Sequence, residues 1–242
     1  MDLITDQMTV GQIVAGDYRT AEVFEKYRID FCCQGGTTLD AACQKKNVDL
    51  PALTSELQKA MAGPEAPSID AATMRLDQLC DYIEKTHHTY VAASLPQLEQ
   101  YLEKVTRVHG ERHPELHEIY RLYREVAQEL VMHMKKEEVI LFPFVRDMVA
   151  QEMTGSDFMP PHFGTVKNPI QIMEQEHEFA GDHFHRIAEL SGNYNPPADA
   201  CTTYRVAFAK LEEFERDLHR HVHLENNVLF PKAKQLEQEL AA

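Results

Sequence analysis

From about residue 73 to residue 239, apolar residues recur at intervals of three and four, the period that keeps side chains on one face of an α-helix. Four long segments carry the pattern, approximately 73–108, 114–150, 168–190 and 201–239. A short His/Gly/Pro turn near 109–114 parts the first two, a Gly/Pro-rich crossing runs from Thr154 to Pro169, and Gly192 to Pro197 makes the last turn. Strand-like alternation is absent. Four helices with such connections predict a four-helix bundle that the crossing divides into two helix pairs. Upstream the helical patterns are shorter: Thr9 opens one, Asp17 caps a second through Tyr27, and Thr37 or Thr38 opens a third. The run Ala62-Gly63-Pro64-Glu65-Ala66-Pro67-Ser68 then reads as a linker. The expected organisation is all-α, with a small helical domain over residues 1–62, a linker over 63–72 and the bundle over 73–242.

The two helix pairs resemble each other. His133 to Pro143 aligns without a gap on His221 to Pro231 at an offset of 88, and both read H-x-x-x-E-x-x-x-L-F-P. In the preceding helix of each half stand His88 and His177, 89 residues apart. The second pair thus reads as a degenerate copy of the first, and pseudo-two-fold symmetry is expected in the bundle.

Polar residues interrupt the apolar stripes at corresponding places. In the second helix the stripe runs Val126, Leu130, His133, Glu137, Leu141, Phe144, and in the fourth Phe214, Leu218, His221, Glu225, Leu229. His177 shares a face with Ile170, Met173, Gly181 and Phe184. The first helix has a broad stripe, Leu79, Ile83, Val91 and Leu95, that accepts His87 or His88; periodicity does not choose, and the half-repeat favours His88. An inward carboxylate is costly unless it is paired or ligated, and a metal ion removes that cost.

Among thirteen histidines, chance supplies about one with Glu four residues later, and three occur. His185/Glu189 lacks the Leu-Phe-Pro and has no counterpart in the other half, so it reads as coincidence. The other two share that tail and lie on the stripes. Four imidazoles and two carboxylates converging at mid-bundle can hold two octahedral divalent ions, each taking two histidines, with both carboxylates as bridges and room for an oxo or hydroxo bridge. Mixed nitrogen and oxygen donors suit iron or manganese better than structural zinc, and a pair of iron ions is the expected cofactor. Glu176, Glu138 and Asn226 are the expected partners behind the ligands, while His219 and His223, two residues to either side of His221, are expected to face solvent. The bland alternative is a metal-free interaction bundle with core histidines.

Composition narrows the function. Twenty-four basic against 39 acidic residues give a formal charge of −15, a field that repels phosphate backbones and anionic lipid. No nucleic-acid or membrane partner is therefore expected. The start, Met-Asp-Leu-Ile-Thr-Asp-Gln, has neither the basic residues nor the apolar run of a secretory signal, so the expected address is the cytoplasm. The five cysteines, Cys32, Cys33, Cys43, Cys80 and Cys201, lack C-x-x-C spacing and read as reduced thiols. Vicinal Cys32 and Cys33 do not easily bridge each other and are candidates to exchange thiol or nitrosyl groups or to present sulfur to iron, with Cys43 near enough in sequence to join them. Cys80 and Cys201 are expected to serve packing.

These residues carry a resemblance to the hemerythrin-like di-iron proteins for repair of iron centres, the ScdA/YtfE type. It rests on His88 with Leu95-Pro96, on His133-x-x-x-Glu137-Glu138, on Met173-Glu174-x-Glu176-His177-x-x-Ala180-Gly181, and on His221-x-x-x-Glu225-Asn226-Asn227-Val228-Leu229-Phe230-Pro231. Asp30 to Leu39, with the cysteine pair, resembles the small domain that accompanies the bundle in this family, although Gln34 stands where the family often has Gly. The resemblance implies the metal ligands His88, His133, Glu137, His177, His221 and Glu225. It also implies repair of iron-sulfur clusters damaged by nitric oxide or oxidative stress, through transient contact with the damaged proteins and a supply of ferrous iron or electrons. The alternative it leaves open is a protein that binds NO or O2 at the iron pair, or reduces NO to N2O. A monomer and a homodimer are both compatible with the sequence.

Overall fold

The structure is a computed structural model, and it describes residues 4–62, 71 and 73–242. Its described residues contain helices and no strand; a lone antiparallel bridge joins Thr9 and Thr38. In the small domain, α1 (Val10–Gly16) is opened by a reciprocal cap between Thr9 and Gln12. Asp17 accepts from the backbone N–H of Arg19 and starts a short turn into α2 (Ala21–Lys26). Thr38, rather than Thr37, caps α3 (Leu39–Lys46), which Asn47 ends in the left-handed region at φ 53°. A fourth helix, α4 (Leu50–Ala62), was not among the expected openings. Its signal is Asp49, whose carboxylate accepts from the Ala52 N–H at 3.0 Å, with Pro51 in the first turn. The linker expected at 63–72 lies, apart from Ala71, outside the described residues.

Each expected bundle segment is present, and three of the four are interrupted. The first consists of α5 (Leu76–Ile83), a π-helical turn at Glu84–His88 and α6 (Thr89–His109). The second consists of α7 (Glu115–Lys136), a π turn at Glu137–Leu141 and α8 (Phe142–Thr154). The third is α9 (Lys167–Leu190). The fourth consists of α10 (Thr202–Leu224), a π turn at Glu225–Leu229 and α11 (Phe230–Leu240). The two later π turns occupy corresponding places in the sequence repeat. Pro143 and Pro231 lack the N–H that would continue the i→i−4 ladder. The Phe142 and Phe230 N–H groups bond instead to the carbonyls of Glu137 and Glu225, five residues back. Such widened turns gather at functional sites because they turn side chains out of the regular helical register.

The apolar core falls into two blocks. One joins the small domain (Val10, Phe24, Leu39, Leu53) to Val91, Tyr123, Phe184, Phe208 and Phe214 of the bundle. The other packs Ile83, Phe142, Met148, Ile170 and Phe230. The small domain is thus docked on the bundle, with shared apolar packing and polar contacts such as Arg220 Nε to Tyr18 Oη at 2.8 Å. Among the described residues no helix is long and apolar enough to cross a membrane.

Candidate metal centre

Between the two blocks lies a layer of polar side chains. His88, His133, Glu137, His177, His221 and Glu225 are each at most 3% exposed. Their donor atoms form two overlapping groups, His88 with His221 and His133 with His177, and Glu137 and Glu225 belong to both. That is the shared-carboxylate arrangement expected of a two-ion site. His87 is buried as well but lies outside both groups: its Nδ1 meets Asp217 at 3.0 Å and its ring stacks on His221 at 5.5 Å between centroids. The structure therefore separates the two histidines that the stripe left open, and the turn at Glu84–His88 carries the selected one.

Outer partners set the imidazole orientations. His133 Nδ1 donates to Glu176 at 2.9 Å, His88 Nδ1 to Glu138 at 2.8 Å and His177 Nδ1 to the Asn226 amide oxygen at 2.9 Å. Acceptor-only carboxylates hold a proton on Nδ1 of His133 and of His88 and turn Nε2 toward the interior, where it would offer its lone pair to a cation. Asn226 does the same for His177, because its amide nitrogen is turned to the Cys32 carbonyl. His221 has no such partner: its Nδ1 is buried without a hydrogen bond.

The layer does not satisfy itself. His133 Nε2 and His177 Nε2 face each other at 3.1 Å, an arrangement that needs a positive charge between two lone pairs. One proton serves that pair. His221 Nε2 meets Glu225 Oε1 at 2.9 Å, but both oxygens of Glu137, Oε2 of Glu225 and Nε2 of His88 stay buried without a hydrogen bond, although His88 and His133 approach Glu137 to 3.4 and 3.3 Å and His177 approaches Glu225 Oε2 to 3.1 Å. Charge without directional bonding is what donor atoms aimed at shared cations present. The electrostatics agree. Burial opposes a charge on His133, but Glu137, Glu176 and Glu225 outweigh it and push its pKa up to about 10. Burial likewise opposes ionisation of Glu225, yet His221 and His177 hold it well below the usual carboxylate range. For His221 burial prevails and its pKa falls. The layer thus keeps its carboxylates ionised, with a proton on His133 offsetting part of their charge; divalent cations supply that charge in the proton's place, and the donors present fit them.

Other expected positions divide. His185/Glu189 is exposed and apart from the layer, as its missing tail indicated. Cys80 is packed in the core. Cys201 is not: it is exposed, with its sulfur 3.2 Å from His109 Nε2. Cys43 is buried in the small-domain core and does not join Cys32 and Cys33. The expectation that His219 and His223 face solvent fails. His223 is 1% exposed and both rings pack near Phe31, because the small domain covers the helix face that the bundle alone would leave open. Burial there lowers the His223 pKa to about 4.

The cysteine pair sits against the metal layer. Asn226 and Asn227, in the π turn after Glu225, donate to the Cys32 carbonyl at 3.3 Å and the Phe31 carbonyl at 3.2 Å, and the Cys33 thiol lies 3.4 Å from the His177 carbonyl. Gly11 and Gly35 make room: a Cβ on either would stand 2.3 or 2.7 Å from Asn227 Oδ1. Asn227 is no candidate site residue by periodicity; its signal is its place in the motif that follows Glu225.

Comparison with known proteins agrees with this architecture. The ScdA_N profile, a domain of unknown function, matches residues 6–61, and the hemerythrin HHE cation-binding domain matches residues 81–233. The chain is 34% identical over 225 residues to the iron-sulfur cluster repair protein YtfE of Yersinia pestis (strain Pestoides F), covering 93% of this chain and 96% of that protein. It is 34% identical over 227 residues to YtfE of Musicola paradisiaca, covering 94% and 96%. With the iron-sulfur cluster repair protein ScdA of Staphylococcus haemolyticus it shares 32% over 230 residues, covering 95% and 99%. A cation-binding helical bundle behind a docked cysteine-bearing domain, matched end to end by these relatives, makes this chain a member of the hemerythrin-like ScdA/YtfE family of iron-sulfur cluster repair proteins.

Proposed function

We propose that this chain is a cytoplasmic di-iron protein that restores iron-sulfur clusters damaged by nitric oxide or peroxide, with ferrous iron as its cargo. The observation that carries the reading is the pair of buried carboxylates, each shared by two histidine pairs. His88 and His221 would hold one ion, His133 and His177 the other, and Glu137 and Glu225 would lie between them. Bound there, the iron pair supplies exchangeable Fe(II) and reducing equivalents. The chain's own residues account for holding and release. Glu176 and Asn226 lock two imidazoles in place, Lys136 in turn pairs with Glu176, and Glu138 orients His88 from a position 44% exposed to water. His221 has no partner behind it at all. The His88/His221 side would therefore hold its ion more loosely and give it up more readily. Cys32 and Cys33 lie against the backbone of His177, beside the other, more firmly held ion, and would meet that one. The acidic surface suits brief contact with several damaged clients.

The test is transfer. The iron-loaded protein restores activity to a peroxide-treated or nitrosylated cluster enzyme under anaerobic conditions, and the Glu137→Leu variant does not. Equal restoration by both overturns the reading; sustained N2O release from NO without restoration favours NO reduction instead.

A further inference from the structure

Beside the bundle centre lies a second group of potential ligands of different chemistry. Asp30, Cys32 and Cys33 bring one carboxylate oxygen and two sulfurs within 4.8 Å of one another. The two sulfurs are 3.7 Å apart, and Cys32 Sγ is 3.2 Å from Asp30 Oδ1. Two thiolates bound at ~2.3 Å to one tetrahedral ion stand ~3.8 Å from each other, and a carboxylate oxygen at ~2.0 Å stands ~3.5 Å from each sulfur. The sulfur–sulfur separation and that from Cys32 Sγ to Asp30 Oδ1 are within a few tenths of an ångström of those edges.

Local structure holds this shape without a metal. Asp30 Oδ1 accepts from the backbone N–H groups of both Cys32 and Cys33, each at 2.9 Å, so the carboxylate and the two cysteines form one tight turn. The Cys32 carbonyl is tied to Asn226. On the far side, Gly181 leaves space for the Cys33 sulfur, which would be 3.1 Å from a Cβ at that position. Cys32 is buried while Cys33 and Asp30 are half-buried, which leaves one side of the group open to water or to another protein.

We propose that Asp30, Cys32 and Cys33 form a third, single-ion site for a thiophilic divalent cation of the first transition row, with solvent as the fourth ligand. Two thiolates select softer metals than the all-nitrogen-and-oxygen layer does. Each thiol gives its proton to solvent as its sulfur–metal bond forms. The group then passes from one carboxylate charge with two neutral thiols to three negative ligands around a dication, so its net charge stays at −1 and no electron moves. The site is also wired to the bundle centre: His177 Nδ1 donates to Asn226, and Asn226 donates to Cys32. On the repair reading, on which this clause alone rests, the cation is iron in transit from the bundle to a client.

Cobalt(II) titration of the full-length apo-protein tests the site, because only thiolate ligation gives an intense sulfur-to-cobalt charge-transfer band in the near ultraviolet. The expected result is that band at one equivalent beyond the cobalt held by the bundle, absent in Cys32→Ser and in Cys33→Ser, kept in Cys43→Ser, and at least tenfold weaker in affinity in Asp30→Asn. Far-ultraviolet circular dichroism of each variant shows whether it has folded, and Cys33→Ser, at the more open position, gives the reading if Cys32→Ser has not. No thiolate band in the wild-type protein, or a band that survives Cys33→Ser, overturns the proposal. Cluster restoration is a separate measurement, so the two proposals fail separately.

Discussion

Replacing Glu176 with Ala removes the acceptor behind His133 without touching a ligand. In the structure that carboxylate accepts a hydrogen bond from His133 Nδ1 at 2.9 Å, is held by Lys136 and is only 19% exposed. Loss of an outer partner costs a metal site about 10- to 100-fold in affinity, or ~1.4 to ~2.7 kcal/mol. Glu176 belongs near the upper end, because little water reaches the vacated position. Glu138 plays the same part for His88 but is 44% exposed, so water can replace it as acceptor, and Glu138→Ala is expected to cost about tenfold or less. Anaerobic competition of each variant against a chromophoric Fe(II) chelator gives the two constants. Glu176→Gln keeps an acceptor oxygen and is expected to recover most of the loss, which separates orientation from charge. If both Ala variants weaken binding by the same factor, or if Glu176→Ala changes neither constant, then the outer partners do not set ion retention and the asymmetry between the two sides is refuted.

Further outcomes follow from other contacts. His88→Ala is expected to lose one of two metal equivalents by elemental analysis, whereas His87→Phe keeps both, since His87 meets Asp217 rather than the shared donors; equal losses would reverse the assignment. Gly11→Ala drives a Cβ to 2.3 Å from Asn227 Oδ1 and is expected to cost ~1–3 kcal/mol of docking, read as faster limited proteolysis between the domains while bundle metal content is kept. Glu215 is half-buried, and its desolvation raises its pKa from 4.5 to about 7 against the opposing pull of the Tyr194 hydroxyl, with Glu25 and Glu212 adding to the rise. The folded state therefore binds the proton more tightly than the unfolded chain, and stability falls as pH rises from 4.5 to about 7. Glu215→Gln should flatten that fall and melt higher than the parent at pH 8, by up to ~3 kcal/mol; an unchanged pH profile would contradict it.

The sequence made the helices and most of the centre readable because both are periodic. His133, Glu137, His221 and Glu225 stood out as polar positions on apolar stripes, and the Leu-Phe-Pro tail marked them twice. The same tail also encodes the π turns, through prolines that break the hydrogen-bond ladder, but periodicity alone does not show that a ladder widens rather than ends. Periodicity does not separate His87 from His88, since adjacent residues on a broad stripe differ only by the rotation that the turn at Glu84–His88 supplies; the half-repeat is what favours His88. His223 was misplaced for a different reason. Its cover comes from Phe31, nearly two hundred residues earlier, and such pairing leaves no local pattern. The helix after Asp49 was missed although its cap was in plain view.

The two-block core has a mechanical corollary. Hydrophobic cohesion is interrupted at the height of the ligands, where the halves of the bundle are joined by four backbones, by the polar side chains themselves and, on one side, by the small domain's contacts with Asn226 and Asn227. A seam of this kind lets the helices part locally while oily packing above and below holds them in register. Emptying and refilling can then proceed as a hinge-like opening at one level, with neither half having to melt.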